Sequence, residues 1–388
     1  MKLRLRDFNF VSFGAMLVLI GIGVTAIASA GAARGGVFAG MWQSTLATAA
    51  FGLVLYFILT FTDYRALLDW CALPAYLAAL AVLVAVLAVG STIYGGRRWL
   101  WFFQPSEISK LCVILFLAQF FGCTEERFKG QFGFRGFLVA CLIAGLPCLL
   151  ILLEPDLGTT LTLVPAITVM LLAAGVWRKG LILALVLGCL AGALVLGAVY
   201  EAEKPGVTPG RREEILRYVP LKAHQVARVK TFLFPGEDPR GAGYNLAQAK
   251  ISIGTGGLSG KGIGKGENNR LKNLPPSVSM NDFIFCVWAE ETGFLGSLAL
   301  LGLFALVCLS GVHIAWCATD IRGRLAAAGV SVLLFAHVYI NIGMAIGLVP
   351  ITGLPLPFIS SGRTFLVTVM CALGIVQSIS LHNKEELA

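Results

Sequence analysis

The chain is predicted to be an all-α polytopic membrane protein with about ten transmembrane helices and a large extracellular loop between the seventh and eighth. Three observations predict this. Hydrophobic residues make up 57% and charged residues only 13%, at a mean hydropathy of +0.83, far from a soluble domain. Apolar runs of roughly 17 to 25 residues, the length a helix needs to cross hydrocarbon, recur about ten times. A long polar stretch, Glu201 to Asn281, separates the seventh run from the eighth within one membrane domain, 1–388.

The first run, Val11 to Ala30, follows Lys2, Arg4 and Arg6 and ends Ala28-Ser29-Ala30, which imitates a cleaved signal peptide. It is long for a signal and nine runs follow, so it reads as an uncleaved helix. The others are Gln43 to Phe61, Leu73 to Gly90, Ile108 to Gly122, Phe137 to Leu153, Thr159 to Val176, Leu181 to Tyr200, Phe283 to Ser310, Leu325 to Val349 and Phe358 to Leu381. With the N-terminus inside, the inner segments carry Arg65, Arg127, Lys129, Arg135, Arg178, Lys179, Arg322, Arg324 and Lys384 besides the N-terminal cations, whereas the short outer loops carry Arg34, Arg97 and Arg98. By the positive-inside rule both termini are cytoplasmic and the long loop faces outward.

That loop holds thirteen Lys or Arg against seven Asp or Glu. A basic loop suits anionic lipid headgroups or a phosphate-bearing ligand; its outward placement argues against nucleic acid. The ten cysteines avoid it, and most fall inside apolar runs, where they read as small buried hydrophobes. The four histidines lack ligand spacing. No metal site is legible, although a Mg²⁺ held mainly by substrate phosphates would leave little local signature.

Ionisable groups near the outer membrane face carry more information, because charge at membrane depth is costly. In Gly95-Gly-Arg-Arg-Trp99 to Lys110, Pro105 suits a first helical turn, and Glu107 and Lys110 lie three apart on one face. They form either a local ion pair or a substrate site. Arg98 is the better anion ligand, because its planar fork grips phosphate. In Glu154-Pro-Asp-Leu-Gly158, Pro155 and Gly158 suffice for a turn and Asp156 can cap the next helix, so the acidic pair exceeds what the turn needs. The glycine-rich run Ile253 to Gly266 is not a Walker A loop, since Gly262 follows Gly260-Lys261 where Ser or Thr is required. It reads as a mobile loop with Lys261 and Lys265 as anion contacts.

The fourth cluster is Asn281-Asp282-Phe283, followed by Glu290-Glu291. Asp282 is placed to cap the eighth helix and equally to act as a base; capping and catalysis are compatible. One of the two glutamates is expected to face a polar interior.

These motifs resemble the SEDS family (shape, elongation, division and sporulation), over almost the whole chain. The resemblance is carried by Gly95-Gly-Arg-Arg-Trp99 with Gln104-Pro-Ser-Glu107, Glu154-Pro-Asp-Leu-Gly-Thr159, Phe234 to Tyr244, Gly256 to Gly262, Asp282-Phe-Ile-Phe285 with Glu290-Glu291, and Gly353 to Ser360. The Glu154-Pro-Asp form is closer to the RodA branch, for elongation, than to the FtsW branch, for septation. The resemblance implies ten transmembrane helices, an inner-membrane location, polymerisation of lipid II into glycan strands, and a class B penicillin-binding protein as transpeptidase partner. Asp282 matches the family's essential aspartate. Two departures stand out: Asn281 replaces the usual Thr, and Ser360-Ser-Gly-Arg-Thr364 replaces Ser-Tyr-Gly-Gly-Ser, which puts Arg363 where a small residue is normal.

In that chemistry a sugar hydroxyl of one lipid-linked disaccharide attacks the anomeric carbon of another as undecaprenyl pyrophosphate departs. Asp282 would take the proton. Arg98 and Lys110, with Glu107, Glu154, Asp156, Lys261 and Lys265 as further substrate-site candidates or with Mg²⁺, would meet the pyrophosphate charge. A single base with a good leaving group implies inversion. The competing readings are a lipid II flippase, which needs polar groups at both membrane faces, and a non-catalytic scaffold.

Overall fold

The structure, a computed structural model, describes residues 7–93, 96–100, 103–128, 133–154, 156–204, 206–219, 221–238, 241–270, 273, 275 and 278–383. Lys2, Arg4, Arg6, Gly95, Lys129, Pro155 and Lys384, all given a place in the sequence reading, lie outside the described residues.

Among the described residues, nine helices are long and apolar enough to cross a membrane, and a tenth, Leu157–Ala173, is a shorter apolar helix. In order, the ten are α1 (Phe10–Ala32), α2 (Met41–Phe61), α3 (Tyr64–Val89), α4 (Pro105–Phe128), α5 (Phe134–Leu153), α6 (Leu157–Ala173), α7 (Arg178–Glu203), α12 (Ile284–Cys317), α13 (Ile321–Ile346) and α14 (Arg363–His382). The chain is therefore a polytopic membrane protein. The stretch between α7 and α12 carries four further helices: α8 (Pro209–Leu216), α9 (Ala223–Leu233), α10 (Ala242–Thr255) and the short α11 (Glu267–Arg270). One hairpin breaks the all-helical expectation, β1 (Ser91–Ile93) paired antiparallel with β2 (Gly96–Trp99).

Local chemistry sets the helix starts. Asn9, Asp63, Asp156 and Asp320 cap α1, α3, α6 and α13 by accepting backbone N–H bonds from Ser12, Arg65, Thr159 and Gly323. Pro105 opens α4, where its missing N–H costs nothing. At its far end α13 stops at Gly347, whose φ of 80° is the left-handed conformation that glycine adopts freely.

Lipid tails are as apolar as leucine, so the bundle is held by close packing and polar contacts rather than by hydrophobic transfer. The most buried spans are α13 and α14, and α2 lies against α14. By contrast α7 exposes Leu183, Val186, Leu187, Leu190 and Leu194, a surface suited to lipid.

The polar stretch folds back onto the end of α7. Val199 of α7 packs with Val219, Val226 and Val229, and the buried Glu203 carboxylate pairs with Arg212 at 2.6 Å and Lys230 at 2.9 Å. This end of the bundle, here called the loop face, gathers the C-terminal ends of α1, α3, α5, α7 and α13 and the N-terminal ends of α4, α6 and α14. The opposite face is closed by structural pairs, Arg322 with Asp69 at 2.7 Å and Tyr64 with Asp320 among them.

The glycine-rich segment expected to be a mobile loop is instead a strap. Gly293, at φ 68° and ψ −162°, breaks α12, so backbone groups on either side lose their helical partners. Residues 257–262 take them up: Phe294 and Leu295 donate to the carbonyls of Gly257 and Leu258, while Lys261 and Gly262 donate to those of Glu290 and Glu291. A side chain at Gly293 would also collide with the backbone of Leu258 and Gly260.

Candidate active site

Asp282 closes a single π-helical turn, Val278–Asp282, immediately before α12. The cap position of α12 belongs to Phe283, and no side chain caps it. The capping role open to Asp282 in the sequence is therefore not used. Its backbone is fixed instead: buried Asn341 of α13 donates to the carbonyls of Asp282, at 3.0 Å, and Leu354, at 2.6 Å. Ser360 donates to the Asn281 carbonyl at 2.6 Å. The Asp282 side chain is half-buried, and among the described residues no hydrogen bond reaches its carboxylate. Burial pushes this carboxyl up to about 7, and the charge of Arg228 pulls the other way.

Arg228, on α9, is the residue the sequence reading missed. Its Nη1 donates to the Thr352 carbonyl at 2.7 Å. Burial lowers its pKa, as does the positive charge of Arg98, while Asp282 and Asp156 act in the opposite sense. These four charges thus occupy one electrostatic neighbourhood, drawn from four separate parts of the chain.

Arg98, on β2, reaches the α5–α6 turn, with Nη1 3.8 Å from the Asp156 carboxylate and Nε donating to the Glu154 carbonyl at 3.4 Å. Asp156 also accepts from Gln104 at 3.3 Å and from the Thr159 hydroxyl at 2.9 Å, so its capping reading holds while it joins β2, α4 and α6. Both carboxyl oxygens of Glu154 are buried without a hydrogen-bond partner among the described residues. Burial, reinforced by Asp156 and opposed by Arg98, lifts this carboxyl to about 8, so it is largely protonated at neutral pH.

The remaining candidates stand elsewhere. Glu107 and Lys110 form the expected i, i+3 pair at 2.8 Å, both fully buried in α4. An ammonium can only donate, so His337 Nε2, 2.8 Å away, accepts from Lys110, whose charge also lies 5.4 Å from the Phe365 ring centre. An apolar cavity of about 20 Å³, room for one water, adjoins this cluster rather than Asp282. Lys261 lies on the strap and is paired with Glu290 at 2.9 Å and Glu267 at 3.2 Å; Lys265 is exposed. Of the two glutamates one was expected to have a polar environment, and both do. Glu290 takes Lys261 and the Asn268 backbone N–H, and Glu291 accepts from Ser29 of α1.

The two departures from the family pattern touch one another: the Ser361 hydroxyl donates to the Asn281 side-chain carbonyl at 2.6 Å, and the Ser361 N–H to the Met280 carbonyl at 3.2 Å. Arg363, the first residue of α14, is exposed.

Among the described residues no group of three or more His, Cys, Asp or Glu side chains is arranged to hold a metal ion. A cation brought in on substrate phosphates needs no such group.

The FtsW/RodA/SpoVE family of cell cycle proteins matches residues 10–385. The chain belongs to that family. Within this FtsW/RodA/SpoVE group it is 36% identical over 350 residues to the peptidoglycan glycosyltransferase MrdB of Escherichia coli K12, covering 89% of this chain and 87% of that one. It is 33% identical over 344 residues to the stage V sporulation protein E of Bacillus subtilis 168, covering 87% and 86%. A chain from a structure on the coordination of polymerization and crosslinking by a peptidoglycan synthase complex superposes with a TM-score of 0.73 at 28% identity, over 98% of this chain and 99% of that one. The rod shape determining protein RodA of Thermus thermophilus shares the fold, with a TM-score of 0.66 at 24% identity over 98% of each chain.

Proposed function

We propose that this protein is a peptidoglycan glycosyltransferase that polymerises lipid II into glycan strands for cell-wall elongation, releasing undecaprenyl pyrophosphate. The observation that carries the reading is the state of Asp282: a half-buried carboxylate, without a hydrogen bond among the described residues and excused from capping, within the field of Arg228 at the loop face. The identity to MrdB supports the elongation branch.

Asp282 accepts the proton of the attacking sugar hydroxyl. A carboxyl near 7 suits this, because a base works best when its pKa lies near the operating pH. Arg98 meets the negative charge that grows on the departing pyrophosphate, and the Asp156 ion pair aims its guanidinium. With one base, and a leaving group that is stable as an anion, the reaction inverts the anomeric carbon. Lys110 is fully engaged by Glu107 and His337, so it holds α4 against α13 rather than meeting the pyrophosphate directly; Lys261 fastens the strap beside α12.

The protein sits in the bacterial inner membrane with both termini cytoplasmic and the loop face outward. Arg65, Arg178, Lys179, Arg322 and Arg324, all at the opposite face, support that orientation. The structural pairs on that opposite face favour an enzyme over a flippase, which needs free polar groups on both sides. A class B penicillin-binding protein supplies cross-linking, a reading supported by the likeness to a chain of a peptidoglycan synthase complex. The deciding experiment is glycan-chain synthesis from purified lipid II with and without a cognate transpeptidase. Absence of polymer under both conditions from folded protein rejects the reading.

A further inference from the structure

The segment between α13 and α14 holds a strained residue with no part in the proton or phosphate chemistry. Among the described residues Phe358 is the one non-glycine with positive φ, at 63°, and it is buried. A bulky side chain resists that conformation, which persists only where the surroundings dictate it. Two sets of contacts do so. On one side the Phe358 carbonyl rests on α1 at Gly23, where a Cβ would overlap the Phe358 oxygen and come within 2.9 Å of the Ile359 Cα. Within the turn, the N–H groups of Ile359 and Ser360 both donate to the Leu356 carbonyl, at 3.3 and 3.0 Å, and the Leu356 N–H donates to the Ser360 hydroxyl at 2.8 Å.

That hydroxyl in turn donates to the Asn281 carbonyl, so its single proton is committed to the residue before Asp282. Three successive carbonyls at the end of the π-turn are gripped from outside it. Met280 accepts from the Ser361 N–H at 3.2 Å, Asn281 from Ser360 at 2.6 Å and Asp282 from Asn341 at 3.0 Å. Asn341 also donates to the Leu354 carbonyl at 2.6 Å, which ties the start of the same segment to the same place. The π-turn that presents Asp282 is therefore clamped by residues 354–361, and their strained backbone is seated on a glycine of α1.

Resting on the glycosyl-transfer reading above, we infer that the 354–361 turn is the positioning device of Asp282, with Phe358 and Ser360 as positioning residues and Gly23 of α1 as their seat. Gly23 offers a substrate no side chain. It governs the carboxylate through packing and hydrogen bonds alone, and this suffices because a misplacement of about 1 Å can cost about a hundredfold in rate.

The test measures kcat and KM for lipid II polymerisation by the full-length protein in nanodiscs, together with backbone amide exchange over residues 280–286. Gly23→Ala should lower kcat about tenfold or more, with KM within about twofold of the parent. Gly21→Ala makes the same change two residues away, where α1 is exposed and a Cβ meets nothing, and should match the parent. Ser360→Ala should reproduce the loss, and Ser360→Thr, which keeps the hydroxyl, should restore most of it. Amide exchange at 280–286 should quicken in Gly23→Ala and Ser360→Ala but not in Gly21→Ala. In an Asp282→Asn background neither loss should recur, because both act through the carboxylate. Should Gly23→Ala not fold, the Ser360 pair and its cycle with Asp282→Asn decide. Parental kcat in folded Ser360→Ala overturns the assignment, as do equal effects of alanine at 21 and 23, a rise in KM at unchanged kcat, or additive losses with Asp282→Asn. Failure of the parent protein to polymerise lipid II, with exchange at 280–286 still dependent on Gly23 and Ser360, would instead reject the transfer reading and leave the hold on Asp282 standing.

Discussion

Arg228 and Asp282 face the same bare position: a methyl group on Gly353 would sit 3.6 Å from a terminal nitrogen of the arginine and 3.6 Å from a carboxylate oxygen of the aspartate. The two residues are 54 positions apart and come from different folded units, one from a helix of the α7–α12 connection and one from the π-turn before α12. The connection is thus part of the site wall.

That relationship fixes a pH dependence. A general base must be ionised to act, and burial holds the Asp282 carboxyl near 7 against the pull of Arg228. Turnover at saturating lipid II should therefore rise with pH through about 7 and level off above it, falling roughly tenfold from the plateau to pH 6. The charges in this neighbourhood are Arg228 on α9, Arg98 on β2 and Asp156 at the start of α6. Removing the arginine charge with Arg228→Gln leaves burial unopposed, so the rising limb moves to higher pH. A limb that stayed in place, or moved to lower pH, would detach Arg228 from Asp282.

The membrane architecture was legible because hydrocarbon imposes a length and a composition on every span; the predicted runs differ from the helices mainly at their ends, most at α3, which begins at Tyr64 rather than Leu73. Asp282, Arg98 and Asp156 were legible because each breaks an apolar context. Arg228 was not, since it is one of thirteen loop cations and nothing local separates it from the rest. Only the packing of Val226 and Val229 decides which way it points. The strap was equally hidden: a glycine-rich run reads as freedom, and the hydrogen bonds that remove it come from a break at Gly293 some thirty residues downstream.

The contact between Asn281 and Ser361 predicts energetic coupling. Ser361→Ala removes the donor and Asn281→Ala the acceptor, so each alone should cost about what both together cost. In a double-mutant cycle on thermal stability the interaction should come to about 0.5–1.5 kcal/mol, the usual net worth of one hydrogen bond. Additive losses would mean that the contact holds nothing in place next to Asp282.

Orientation is open to direct labelling. Gly206 is exposed just beyond the end of α7, on the loop face. In a cysteine-depleted background, Gly206→Cys should react with an impermeant thiol reagent added to intact spheroplasts. Reaction only after the cytoplasmic side is opened would invert the topology and remove the catalytic face from its substrate.

Asp282→Asn isolates the central chemical claim. Asparagine keeps the size and polarity of aspartate, and the side chain neither caps α12 nor accepts a hydrogen bond from another described residue, so the fold loses little. The backbone bonds to Asn341 and Ser360 run through main-chain carbonyls and survive the change. A melting temperature close to the parent's and continued association with the transpeptidase are therefore expected, together with loss of polymerisation by about a hundredfold or more at saturating lipid II. Uncharged asparagine also removes the carboxylate charge that acts on Arg228, so binding of undecaprenyl pyrophosphate should be retained or tightened even as turnover disappears. Parental rates from the purified variant would leave the base unassigned, whereas joint loss of turnover and of pyrophosphate binding would recast Asp282 as a group that shapes the site rather than one that takes the proton.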